Sequence, residues 1–218
     1  MLQRIPAPTT ARLLRAGDRG WLVELPSGGA TSIAAAVHDQ PWAAQVAEVV
    51  PAAKTVLVTA IDCAWTDALG SALVSLLEEA LDRPGPGRRP RTIEIPVHYD
   101  GPDLIEVADA LGLGVADVAR EHAAAEHVVG FFGFAPGFAY IDGCPDVLAL
   151  PRRTSPRTRI EAGYVAIAGN QTVVYPGGTP GGWHLIGHTE QRLWNPGNNP
   201  PNRLEVGDRV AFRVVTRC

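Results

Sequence analysis

Four arginines, Arg152, Arg153, Arg157 and Arg159, crowd into eight residues of a 218-residue chain, and no acidic residue falls between Leu150 and Ile160. Pro151 and Pro156 fix the backbone at two points and aim fork-shaped donors outward, which suits bidentate binding of a carboxylate or phosphate. A chain of formal charge -4 that gathers four guanidinium groups is expected to keep them for an anion; a solvated basic face or a partner-protein contact is the open alternative. Two stretches rich in Gly and Pro flank the cluster. The first, Gly133 to Tyr140, carries Phe134, Pro136, Phe138 and Tyr140; the second, Pro176 to Trp183, carries Gly181, Gly182 and Trp183. Gly and Pro set loop geometry while the aromatics could wall a pocket, although tight turns at a barrel rim need the same residues. Gln171, Val173 and Tyr175 alternate onto one strand face, setting an amide and a phenol a few ångströms apart beside the second loop.

Other chemistry is poorly supported. Neither glycine cluster ends in the Gly-Lys-Ser/Thr of a phosphate loop or forms a G-x-G-x-x-G turn. His184 and His188 lie four apart on one expected strand face without a carboxylate between them, so no metal site is expected. His122 and His127 default to structural roles, with His122 kept as a candidate substrate- or anion-binding residue. Cys63, Cys144 and Cys218 are odd in number and widely spaced, which argues for reduced thiols. Cys144 has no positioned base that would make it a nucleophile. No Ser-His-Asp order is visible, and catalytic residues stay unassigned.

The elements that must position these residues follow from periodicity. Apolar content of 46% and charge of 19% are those of an ordinary globular protein, and the acidic balance gives no case for nucleic acid or anionic lipid. No apolar run approaches a membrane span and residues 1–12 have no apolar signal core, so a cytoplasmic protein is expected. Leu13 to Leu25 reads as one strand entered through Gly17-Asp18, and Thr31 or Ser32 as the cap of a helix to about Val37. Strands at Val46–Val50 and Thr55–Ile61, then a helix from Thr66 or Asp67 to Leu81, complete a small α+β layer with helices on one face of an antiparallel sheet. The stretch Asp82 to Pro90 is the clearest composition break and predicts a linker between domains at 1–83 and 91–218. Beyond it, Thr92–Tyr99 is a strand that Pro96 assigns to an edge or bulge. Helices at Asp103–Leu111 and Val115 to about Ala123 precede short strands of barrel or sandwich type, with a hairpin at Gly169-Asn170 and a last strand at Arg209–Val215.

Five ordered segments carry a resemblance: Gly133-Phe134-x-Pro136-Gly137-Phe138-x-Tyr140; Pro151-Arg152-Arg153-x-x-Pro156-Arg157; Ala162-Gly163-x-Val165-Ala166-Ile167-Ala168-Gly169-x-Gln171-Thr172; Tyr175-Pro176; and Pro180-Gly181-Gly182-Trp183-x-Leu185-Ile186-Gly187-x-Thr189. Together they are similar to the family of 5-oxoprolinase B subunits, also called KipI or allophanate hydrolase subunit 1. The resemblance implies an α+β class: a small N-terminal α+β sandwich domain followed by a C-terminal cyclophilin-like β-barrel. It implies a partner of the 5-oxoprolinase C type (allophanate hydrolase subunit 2) and a further protein of the 5-oxoprolinase A type. With these, Mg-bound ATP used by the complex drives opening of the small cyclic amide 5-oxo-L-proline to L-glutamate, by phosphoryl activation of the amide oxygen and attack of water. No cofactor is implied for this chain alone, which is expected to be silent without its partner. Arg153, Arg157, Gln171, Tyr175 and His122 then become substrate- or anion-binding candidates. Phe134, Pro136, Phe138, Tyr140, Gly181, Gly182 and Trp183 become partner-interface or pocket-loop candidates, with Trp183 as an exposed anchor. Glu161, Tyr164, His188 and Cys144 depart from the usual pattern. A KipI-like inhibitor of a sensor histidine kinase and a member of an amide-carboxylating complex are the alternatives, and prolyl isomerase follows from the barrel alone.

Overall fold

The computed structural model describes residues 4–5, 11–25, 29–82 and 91–215. The chain divides into two compact units, Met1–Arg89 and Pro90–Cys218. The expected linker from residue 83 onward, turn residues 26–28, most of the first ten residues and Cys218 lie outside the described residues.

The first unit contains β1 (Arg4–Ile5), β2 (Arg12–Ala16), β3 (Gly20–Glu24), α1 (Ala30–His38), β4 (Val46–Pro51), β5 (Thr55–Ala60) and α2 (Thr66–Asp82). Its antiparallel sheet runs β1-β2-β3-β5-β4. Trp21 and Val23 of β3 and Val56, Val58 and Ala60 of β5 alternate onto one face and share a core with Ile33, Val37, Leu69 and Leu73 of the two helices. Two local expectations are corrected. The stretch from Leu13 is two strands that reverse through Gly17-Asp18, with Leu13 opposite Val23. Helix α1 starts at Ala30, behind a left-handed Gly29, so Thr31 and Ser32 lie inside it and neither is its cap. The Thr66 hydroxyl donates to the carbonyls of Cys63 and Asp18, tying the start of α2 to the β2–β3 turn.

The second unit contains β6 (Thr92–Val97), α3 (Leu104–Leu111), α4 (Val115–Ala124), β7 (His127–Phe132), β8 (Ala139–Asp142), β9 (Arg157–Ile160), β10 (Tyr164–Ala168), β11 (Gln171–Val174), β12 (Thr179–Gly181), β13 (His184–His188) and β14 (Arg209–Val214). Seven strands follow the order β13-β10-β11-β8-β7-β14-β6. Strand β6 is the end of this ladder, one of the two places that Pro96 allows, but pairs with β14 in parallel, which nothing in the sequence announces. The sheet then nearly closes into a barrel. His98 and His188 exchange both backbone hydrogen bonds at 2.8 Å, and the amides of Gly101 and Asp103 donate to Ile186 and Leu185. Ile95, Val97, Val129, Ile141, Val165, Ile167, Ile186 and Phe212 fill the interior, joined by Leu104, Val107 and Val118 of α3 and α4.

Strands β10, β11 and β13 are buried on both faces. Val165, Ile167 and Val174 serve the barrel interior, whereas Ala166, Ala168, Val173 and Leu185 join Phe138, Ile160, Tyr175 and Trp183 in a second core. Ile160 belongs to the two-stranded β9–β12 sheet. This two-sided burial explains the near-continuous apolar run Tyr164–Ala168. It also gathers the loops that the sequence singles out.

Candidate functional site

The second core is built from aromatic rings drawn from three separate segments. Phe138 meets Tyr175 edge-on at 5.3 Å between centroids, and Tyr140 lies 5.9 Å from Trp183. Phe131 stacks on Tyr140 at 4.3 Å, which fixes the far side of that ring. Gly181 is required by the packing: a Cβ there would lie 2.1 Å from the Tyr175 hydroxyl oxygen. The loop therefore lies directly over the phenol, and only hydrogen fits between them. The Arg153 amide donates to the Gly182 carbonyl at 2.7 Å, tying the arginine loop to the same edge.

Tyr175 is 1% exposed, and its hydroxyl makes no well-formed hydrogen bond, the Trp183 amide being close enough only for a weak one. Burial pushes the phenol up to about 12, offset in part by the nearby Arg152 guanidinium and the Trp183 amide. A buried hydroxyl without a well-formed hydrogen bond costs about 1–3 kcal/mol. Arg152 itself is exposed, with its guanidinium 5.5 Å from the centroid of the Trp183 ring.

The other arginines correct the picture of outward-aimed donors. Arg157 makes two hydrogen bonds to Asp103, at 2.9 and 2.7 Å. Arg153 reaches Asp103 at 3.2 Å and Glu106 at 2.7 Å. Asp103 is 2% exposed and also accepts from the Leu185 amide at 2.8 Å. Burial raises its pKa, but the Arg157 and Leu185 hydrogen bonds and the two guanidinium charges outweigh it and leave the carboxyl below the ordinary range. The anion that Arg153 and Arg157 hold is thus the chain's own, from about fifty residues upstream. Arg159 pairs with Glu161 at 2.8 Å.

Gln171 and Tyr175 do share a strand face, but four residues at roughly 3.3 Å each place them about 13 Å apart, not a few ångströms. Gln171 donates to Asp142 at 2.8 Å, beside the Gly169-Asn170 turn. His122 lies in the barrel interior, away from these loops. Its Nδ1 shares a 2.7 Å hydrogen bond with the Tyr99 hydroxyl and its Nε2 a 2.9 Å bond with Thr172. Burial and the neighbouring His127 hold it well below the usual histidine range. Cys144 is buried, and that burial pushes its thiol up to about 12, away from the thiolate that a nucleophile needs. His184 and His188 turn to different partners, the Pro151 carbonyl and Asp100.

Trp183, expected as an exposed anchor, is 4% exposed and is packed in the second core. The exposed ring is Phe134, at 62%. Phe134 has φ of 68°, and the Ala135 amide donates to the Gly133 carbonyl at 2.8 Å, so this residue is the centre of a strained three-residue turn. Among the described residues it alone has positive φ without being glycine. Pro136 and Arg152 are exposed as well. The significance of Arg152 and of Asp103 is not separable from the arginine cluster in sequence; only the fold distinguishes the outward guanidinium from the paired ones.

The family model for the carboxyltransferase domain, subdomain C and D, matches residues 11–204. The chain is 50% identical over 125 residues to the 5-oxoprolinase B subunit from Escherichia coli O157:H7, a stretch covering 56% of this chain and 57% of that one. It is also 50% identical over 125 residues to the 5-oxoprolinase B subunit from Bacillus subtilis (strain 168), covering 56% and 52%. The matched stretch therefore spans little more than half of these relatives' own length. Among solved structures, TTHA0988 superposes with a TM-score of 0.75 and 32% identity over 92% of this chain and 40% of that one. The conserved uncharacterized protein PH0987 from Pyrococcus horikoshii gives 0.55 and 35% over 93% and 97%. The K. lactis urea amidolyase, at 19% identity and TM-score 0.72 over 98% of this chain and 16% of that one, shares the fold.

Proposed function

The chain belongs to the carboxyltransferase domain, subdomain C and D, family, and from that premise we propose that it is the B component of an ATP-dependent 5-oxoprolinase. In this reading it acts in the cytoplasm with a C-type partner and an A-type protein of the same enzyme. The complex opens 5-oxo-L-proline to L-glutamate. ATP transfers its γ-phosphoryl group to the amide oxygen and leaves as ADP. One water adds to the activated carbon, the C–N bond breaks with the amine as leaving group to give an acyl phosphate, and a second water hydrolyses that to the carboxylate and phosphate.

The observation that carries the site assignment is the exposed Arg152 guanidinium over the Trp183 ring, near the buried Tyr175 hydroxyl. An exposed guanidinium suits the substrate carboxylate, and the protonated phenol near it leaves that positive charge uncompensated. Phe138, Tyr140 and Trp183 already fill the space around that phenol. A substrate would therefore meet this chain at the rim formed by Phe134, Pro136 and Arg152, and a second protein must supply the opposite wall. Desolvation by that wall would strengthen the contact of the Arg152 guanidinium with a substrate carboxylate.

The test is reconstitution. Mixed with its C-type and A-type partner proteins, the chain should support 5-oxoproline-dependent ATP cleavage, and Arg152→Gln should raise KM with little change in folding. The proposal falls if the chain alone cleaves ATP at the rate of the mixture, or if the folded mixture shows no 5-oxoproline dependence.

A further inference from the structure

A polar cavity of about 370 Å³ opens between the start of β6 and the connection from β13 to β14. Arg91, Arg192 and Arg203 line it with Asn195, Asn198 and Asn202. Glu205 is the one carboxylate in the lining and Asp208 lies behind it on Arg91, so three guanidinium charges stand against two carboxylates in a chain whose formal charge is -4.

The arginines are not equivalent. Arg91 is committed: it makes two hydrogen bonds to the fully buried Asp208, at 3.2 and 2.7 Å, and a 2.9 Å ion pair with Glu205. Arg192 and Arg203 have no carboxylate partner among the described residues. Elsewhere in the barrel unit, Arg120, Arg153, Arg157, Arg159 and Arg213 have one, whereas Arg152 and Arg209, which have none among the described residues, lie outside the cavity. The backbone around the cavity is nonetheless held in a built frame. The Arg203 amide donates to the Leu193 carbonyl and the Asn195 amide to the Pro201 carbonyl, each at 2.9 Å, and Trp194 bridges Asn202. The Asn195 side-chain oxygen accepts from the Gly197 amide at 3.0 Å, which leaves its NH₂ group as a further donor. Two uncommitted forks and side-chain amides make a donor-rich lining, the chemistry of a phosphate site. The volume is that of a small-molecule pocket.

We infer that this cavity binds a phosphate group, either free or at the end of a nucleotide's polyphosphate. The site lies beside the candidate rim: the α-carbon of Gly137 packs so closely on Trp194 that a Cβ would come within 2.4 Å of that side chain. The inference goes beyond the 5-oxoprolinase reading and holds whichever amide is the substrate.

Titration of the isolated chain with inorganic phosphate, tripolyphosphate and ATP, at fixed ionic strength and without partners, tests it. Saturable one-to-one binding is expected for at least one of the three. Arg192→Gln with Arg203→Gln should weaken it at least tenfold, whereas Arg152→Gln should not change it. Tighter binding of tripolyphosphate and ATP than of phosphate identifies a nucleotide; equal affinity identifies free phosphate. Should the double variant fail to fold, Asn198→Asp, on an exposed position, must produce the same weakening. The absence of saturable binding by all three probes, or undiminished binding in the folded variants, overturns the inference. Because no turnover is measured, failure here leaves the reconstitution result unaffected, and the converse holds.

Discussion

Replacing Asp103 with asparagine should cost the barrel unit about 3 kcal/mol, because one carboxylate organises four donors. It accepts from Arg157 twice, from Arg153 and from the Leu185 amide, at 2.7 to 3.2 Å. Asparagine keeps the shape, removes the charge and turns one acceptor into a donor that faces guanidinium hydrogens. Breaking a fully buried ion pair costs about 3–5 kcal/mol through the charge left behind. The side chains of Arg157 and Arg153 remain 31% and 23% exposed, so water screens part of that loss and the lower end applies. For a unit of this size the loss corresponds to a fall of about 10 °C in melting temperature. A chain with two compact units need not melt in one step, so a local readout is needed besides calorimetry. Hydrogen exchange at the Leu185 amide supplies it: protection there should drop in Asp103→Asn while the Val97 amide changes less. Arg157→Lys, which keeps the charge and loses the fork, should cost less, about 1 kcal/mol. A melting temperature within about 2 °C of the parent, with Leu185 protection intact, would refute the argument that this carboxylate holds the arginine loop on the barrel.

Tyr175→Phe should raise stability by up to about 1 kcal/mol, measured by urea unfolding, while lowering reconstituted activity; loss of stability without loss of activity would make the hydroxyl structural. Phe134→Gly should relieve the left-handed strain and stabilise the chain by about 1 kcal/mol yet weaken partner binding at least tenfold, whereas Trp183→Ala should cost about 3–5 kcal/mol of folding stability; calorimetry and a pull-down titration separate the two, and unchanged partner affinity in the folded Phe134 variant would remove it from the interface. Burial depresses both His122 and His127 in the folded chain, so on unfolding they take up protons below their ordinary range near pH 6.5. Stability should therefore be level above pH 6.5 and fall below it, by about 1.4 kcal/mol per pH unit for His122 and by less for His127, and urea midpoints that stay level from pH 7 to 5 would contradict this. Limited proteolysis should cut first between residues 82 and 91; first cuts within 130–189 would argue against a boundary there.

Much of this protein is local in origin, and those parts are legible in the chain. The Gly169-Asn170 hairpin, the helix that ends at Leu111 and the edge-or-bulge reading of β6 from Pro96 depend on a few neighbouring residues. The five ordered segments are likewise enough to place the chain beside the 5-oxoprolinase B subunits. The roles of individual polar residues are not legible. Arg153 and Arg157 look free in sequence because Asp103 is 50 and 54 positions away, and only barrel closure brings it to them. Trp183 looks like a surface anchor because its loop is glycine-rich, yet β10, β11 and β13 bury a second face, which a period of two cannot reveal. His122 becomes structural once Thr172, fifty residues on, reaches its ring. Periodicity reports which face of an element is apolar. What a charge or ring finally touches depends on chain segments brought together by closure of the sheet, and that pairing is decided by tertiary structure alone.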